Sequence, residues 1–207
     1  MPENPDSLNL ERLVERAYAA VGKSILAWAQ VEHEMALLWR ELCGSRDQIA
    51  DAVWDRVKSF DVKSKLVNDL ATRKLLPRML GDWKLIHPYV ERMYSERNKI
   101  AHASLLSNED NTAVRIVPFF SLQKETHHLF TACNTDAIAE QQLRLRETLQ
   151  WFSRGIRASE TQRQLWQAQA PDLVLHLRAA DAPKREAQRH RALAWRQYLD
   201  RNPNLKL

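Results

Sequence analysis

Apolar residues return every three or four positions along most of the chain, the spacing that lines up one face of an α-helix. Leu10, Leu13, Val14, Ala17 and Val21 open the pattern, with Ser7 placed to cap it, and Ile25, Trp28, Val31, Met35, Leu38 and Leu42 carry it on to a stop at Gly44. One long helix satisfies that run, as do two end to end with a bend at Gly22. Ser45 opens a second helical stretch, RDQIADAVWDRVKSF, and Asp61 a third, in which Val62, Leu66, Leu70 and Leu75 form a stripe. The proline and glycine of LPRMLGD mark a connection. Asp82 is then placed to cap a helix that runs to about His102, and Pro88 fits it only in the first turn or at a kink. Beyond His102 the period changes. ASLL, the polar SNEDNT and AVRIVPFF predict two short strands about a turn. Thr135 begins another helix, with Ile138, Leu145, Leu149, Phe152 and Ile156 on one side. From Ser159 the pattern loosens into peripheral helices or a partly ordered tail. The expected fold is mainly α: a bundle of four to five helices over 1–158, a small β-hairpin insertion after the fourth, and a basic C-terminal extension over 159–207.

Composition narrows the class further. Of 207 residues 44% are hydrophobic, enough for a true core, and only four are glycine while seven are tryptophan. Cys43 and Cys133 stand far apart and match no paired or zinc-type spacing, which predicts free thiols in a reducing compartment. The start, MPENPDSLNLER, is acidic and polar, unlike a signal peptide, and no apolar run approaches the roughly 20 residues a spanning helix needs. A cytoplasmic protein without membrane contact is expected. The formal charge is +5, and from Glu160 onward nine Lys or Arg face five acids. That surplus is an electrostatic footprint for nucleic acid or, more commonly, a solvated basic tail.

The stretch YSERNKIAHAS, Tyr94 to Ser104, carries the candidate chemistry. Ile86, Val90, Met93, Ile100 and Ser104 follow helical spacing, and the position that completes their stripe is Arg97. A charge therefore occupies a core slot, where an unpaired guanidinium costs several kcal/mol unless it reaches an acid, a phosphate or water. Glu91, Ser95, Asn98 and His102 define a polar face beside that stripe. A purely structural network satisfies the same pattern: Arg97 paired with a carboxylate such as Glu32, and Asn98 and His102 closing the helix end.

Arg97, Asn98, three residues and His102 resemble the Arg, polar residue, several residues, His signature of the HEPN superfamily, the higher eukaryote and prokaryote nucleotide-binding helical domains. The surrounding ERNKIAHA is similar to the form this signature takes in many bacterial members, and ILAWAQVEHEMALLW, with Trp28 and Glu32 one turn apart, resembles that family's opening helix. The likeness runs roughly from Val21 to Ile156; the hairpin after His102 enlarges the compact bundle, and the tail has no assigned counterpart. The resemblance implies a homodimer with its two motifs facing across a cleft. It implies a metal-independent endoribonuclease, toxin-like or defence-related, that takes RNA and needs no cofactor, with an antitoxin or nucleotidyltransferase as a possible partner. His102 would move a proton at the ribose 2′-hydroxyl or the leaving oxygen, Arg97 would hold the scissile phosphate, and Asn98 would orient His102 or the phosphate, with Glu32, Glu91 and Ser95 in support. Other members of the superfamily are non-catalytic dimerisation, nucleotide-binding or regulatory modules, and fold does not fix function.

Other motifs carry less. His127 and His128 are adjacent and diverge on a helix or a strand, so they do not share a metal. VEHEM around His33 lacks the two-histidine spacing of a zinc protease helix, and VGKS at Val21 to Ser24 lacks the strand and glycine of a phosphate-binding loop. Most tryptophans are expected in the core; Trp166 and Trp195, beside basic residues in the tail, are the two placed to stack on unpaired bases.

Overall fold

The computed structural model describes residues 5–44, 48–108, 110, 112–118, 130–183 and 186–187. Within them the chain is a mainly helical bundle with one two-stranded hairpin. Helix α1 (Pro5–Cys43) is followed by α2 (Gln48–Arg56), α3 (Phe60–Lys74) and α4 (Pro77–Ala101), the strands β1 (Ala103–Ser107) and β2 (Val114–Pro118), then α5 (Ala132–Arg157) and α6 (Glu160–Ala168). A further helix, α7, spans 172–183.

The first apolar run is a single helix of 39 residues. Gly22 does not break it, and the helix begins at Pro5, before the expected Ser7 cap. It ends where Gly44 takes a φ of 85° and returns its N–H to the carbonyls of Arg40 and Glu41, a conformation open to glycine at little steric cost. α1 packs along α5, and the two run parallel: Ser24 bonds Gln142, Arg146 bonds Gln30, and Gln150 bonds Glu34, in the same order along both helices. α4 runs antiparallel to α5, since Trp83 meets Phe152 and Tyr89 meets Gln141. Trp28, Met35, Leu38, Trp83, Ile86, Leu145, Leu149 and Phe152 fill the space among the three helices, each nearly inaccessible to water. Trp28, Phe60 and Tyr94 close one side as a ring cluster, with centroids 4.8–5.7 Å apart.

Several boundaries differ from the sequence expectation. The Pro and Gly of LPRMLGD do not form a connection: Pro77 occupies the first turn of α4, where its missing N–H costs nothing, and Gly81 is already inside the helix. Asp82 is therefore no cap. It is buried, and it accepts two hydrogen bonds from Arg178 of α7, at 2.9 and 2.7 Å. Pro88 lies in the helix interior rather than its first turn. On α3 the buried residues are Phe60, Ser64, Val67 and Ala71, while Val62 of the expected stripe is 44% exposed. α5 starts before Thr135: Thr131 is its cap and accepts the N–H of Asn134 at 3.1 Å.

β1 and β2 pair antiparallel, Ala103 opposite Pro118 and Ser107 opposite Val114. Ile116 and Phe130 form a small second cluster with Ala17, which seats the hairpin on the N-terminal half of α1. At the other end of the bundle, Ser159 builds a capping box with Gln162 at the start of α6. Trp166 and Val174 belong to the main core, so α6 and α7 pack on the bundle rather than trail from it. Trp166 is not available to bases: it is 7% exposed and stacked on Trp151 at 4.2 Å. Trp195, His127 and His128 lie outside the described residues.

Candidate functional site

The Arg/Asn/His trio sits where α4 ends and the hairpin begins. Val90, Met93 and Ile100 bury the apolar stripe of α4, and Arg97 falls on the same stripe, half-buried. Its Nη1 donates to Asn98 Oδ1 at 3.1 Å, while its Nε is shielded from water and meets no acceptor among the described residues. No carboxylate among the described residues is hydrogen-bonded or ion-paired to it. The Asn98 carbonyl accepts the backbone N–H of His102 at 3.2 Å, which ties the residues into one turn.

His102 is the C-cap of α4, with φ −109° and ψ 27°. Leaving the helix there turns its imidazole out to solvent, and β1 starts at the next residue. Ile100 on one side and Ile116 across the hairpin are both fully buried, so the exposed imidazole is carried by a firmly seated backbone. A rise of 1.5 Å per residue places His102 about 6 Å beyond Asn98 and about 7.5 Å beyond Arg97 along the axis.

The three supporting residues of the sequence reading stand apart from this turn. Glu32 accepts the indole N–H of Trp28 at 2.7 Å, a one-turn contact within α1, and is not bonded to Arg97. Glu91 is exposed and lies 3.8 Å from His87 Nε2. Eleven residues separate it from His102, about 16 Å along the helix. Ser95 is exposed and makes no side-chain bond to a described residue. Closer at hand, Lys99 is held by Glu96 at 2.8 Å.

A second histidine, not singled out in the sequence, proves the more constrained. His87 Nε2 lies 3.0 Å from the Oγ of buried Ser64, and its ring packs against Trp83 at 5.3 Å. Burial holds its pKa below the ordinary histidine value, against the opposing pull of Glu91 and the bond to Ser64. Ser64 and Glu91 both approach the same ring nitrogen, so the three do not form a serine–histidine–acid relay, which needs opposite nitrogens. The pairing of His87 with Glu91, four residues on, was the one visible hint.

Among the described residues no group of three or more His, Cys, Asp or Glu is placed to hold a metal ion, and no helix is long and apolar enough to cross a membrane. The chain matches no family model, no curated protein and no solved structure.

Proposed function

We propose that this protein is a metal-independent endoribonuclease of HEPN type, with Arg97 and His102 as its catalytic residues and Asn98 as the residue that positions Arg97. The observation that carries the reading is a cation without a counter-ion among the described residues. Arg97 spends one guanidinium N–H on a neutral amide and meets no carboxylate among them, five residues from an exposed imidazole. A phosphodiester supplies what both groups lack, a bidentate anion for the guanidinium and an acidifiable hydroxyl for the imidazole. The regulatory-module alternative expects a carboxylate on Arg97 and a buried His102; Arg97 bonds Asn98 instead, and His102 is exposed.

In this reading His102 removes the 2′-hydroxyl proton or protonates the 5′-oxygen. Arg97 neutralises the charge that grows on the phosphorane oxygens. Among the described residues one chain offers a single histidine here, so a dimer completes the acid and base pair. The toxin-like or defence role, with an antitoxin or nucleotidyltransferase as controlling partner, belongs to the same proposal.

Purified protein incubated with mixed RNA in the presence of a chelator tests it. Products ending in 2′,3′-cyclic phosphate are expected, and His102→Ala or Arg97→Ala, each shown to be folded, should slow their appearance by about 10²- to 10⁴-fold. Wild-type protein that leaves RNA intact would refute the reading.

A further inference from the structure

The outer side of α1 carries apolar side chains that no described element covers. Tyr18 is 64% exposed and Leu26 68%, and they stand on one ridge of the helix, four residues to either side of Gly22. A Cβ at Gly22 would meet nothing within 4 Å, so the ridge dips between two exposed knobs. Ala19 and Ala29 are exposed beside it, and helical spacing puts no Asp, Glu, Lys or Arg on this face from Tyr18 to His33. One exposed apolar residue is ordinary, but two set about a glycine on a charge-free face make a docking surface. We infer that a second copy of this chain docks here, α1 against α1 and antiparallel, with the two-fold axis at Gly22.

The pattern is complementary to itself, as a two-fold contact requires. About Gly22, Leu26 of each copy meets Tyr18 of the other, and the two glycines face each other, which lets the helix axes approach toward the short end of the usual range of about 8–10 Å. Charge selects the same arrangement. Glu11, exposed and in no ion pair with a described residue, falls opposite the exposed His33 of the other copy, at both ends of the contact. A parallel pair would set Glu11 against Glu11 and Glu15 against Glu15. RNA finds nothing to hold on a face without a cation.

The axis also falls at the height of the Arg/His turn. α4 runs antiparallel to α5 and therefore to α1, and Tyr94 packs on Trp28 at 5.7 Å. Arg97 is then level with Ile25 and His102 with Ala20, one on each side of Gly22. Trp28, which faces α4, lies about 120° round the helix from Gly22, so α4 flanks the contact without covering it. A two-fold axis at Gly22 sets both Arg/His turns at one height on one side of the α1 pair, across a shared cleft. The use of that cleft, with the acid from one chain and the base from the other, rests on the ribonuclease reading; the contact itself rests on the face of α1.

Sedimentation velocity of the full chain over a concentration series tests it, with wild-type protein, Leu26→Glu and Gly22→Gln compared. Within one chain Gly22→Gln meets open space and replaces glycine by a better helix former, so its Tm should hold or rise while dimerisation fails. Wild-type protein should dimerise, and each variant should raise the dimer dissociation constant at least about tenfold. Tyr18→Cys with Leu26→Cys, in a Cys133→Ala background, should form a covalent dimer on mild oxidation; the two positions lie about 12 Å apart within a chain, too far for an internal disulfide. Wild-type protein that stays monomeric, a dimer indifferent to both substitutions, or a double-cysteine variant that does not cross-link would overturn the inference. A dimer lost in both variants but inert toward RNA would uphold the contact and refute the ribonuclease reading, whereas a dimer that cleaves RNA and survives both substitutions would do the reverse.

Discussion

Arg97 and His87 show opposite ways of placing a polar residue in an apolar seam. The Nε of Arg97 is buried without an acceptor among the described residues, an arrangement that costs about 1–3 kcal/mol for such a group. Replacement by methionine fills the same slot between Met93 and Ile100 and sets that penalty aside, losing only the bond to half-exposed Asn98. Arg97→Met should therefore raise stability by about 1 kcal/mol, read as a higher Tm or urea midpoint, while abolishing RNA cleavage. A clear loss of stability would instead make Arg97 a structural strut. His87 has Ser64 as its partner, but burial disfavours the charged form of its ring. Its pKa in the fold lies below the unfolded value of about 6.5, so protons bind the unfolded chain in preference. This contribution is complete above about pH 6.5 and is lost as pH falls through the interval down to the folded value. Thermal unfolding followed from about pH 8 to pH 5 should show Tm falling in that window. His87→Gln keeps a hydrogen-bonding group for Ser64 without a titrating ring and should flatten the slope.

At the scale of elements, α6 is held to α5 by a contact that depends on one missing side chain. Gly155 lies directly beneath the Trp166 indole, and a Cβ there would come within 2.2 Å of the ring. Gly155→Ala should displace Trp166, lower stability by about 1–3 kcal/mol and change tryptophan emission; unchanged emission would show that the stack tolerates the methyl. That clasp also marks the limit of what the sequence makes legible. Long runs such as Trp28 to Leu42 and Leu145 to Ile156 reveal their helices because one face is buried along the whole length. Hairpin and motif turn were legible too, through the shift to β-favouring residues after His102 and the guanidinium on the seam of α4. Ends were not. Pro77 and Gly81 read as punctuation but belong to α4, and Asp82 reads as a cap but answers Arg178, almost a hundred residues away. Such a partner is set by tertiary packing, whereas the donor to Glu32 is the local one, Trp28 one turn away on the same helix. His87 was missed for the same reason, since its defining neighbour, Ser64, comes from α3.

For the whole molecule, the proposed chemistry requires more than one chain. Among the described residues a single protomer presents one imidazole and one guanidinium without a carboxylate partner at the end of α4, whereas cleavage through a cyclic phosphate uses both an acid and a base. If two copies meet with these turns facing, the acid and the base come from different chains. Mixing wild-type chains with folded His102→Ala chains then separates the two cases. A mixed dimer holds a single imidazole and lacks either the acid or the base, so co-refolded mixtures should lose activity as the square of the wild-type fraction, with light scattering reporting the dimer itself. A site confined to one chain predicts the contrary: activity falls in direct proportion to the wild-type fraction, because each wild-type protomer works whatever its partner carries.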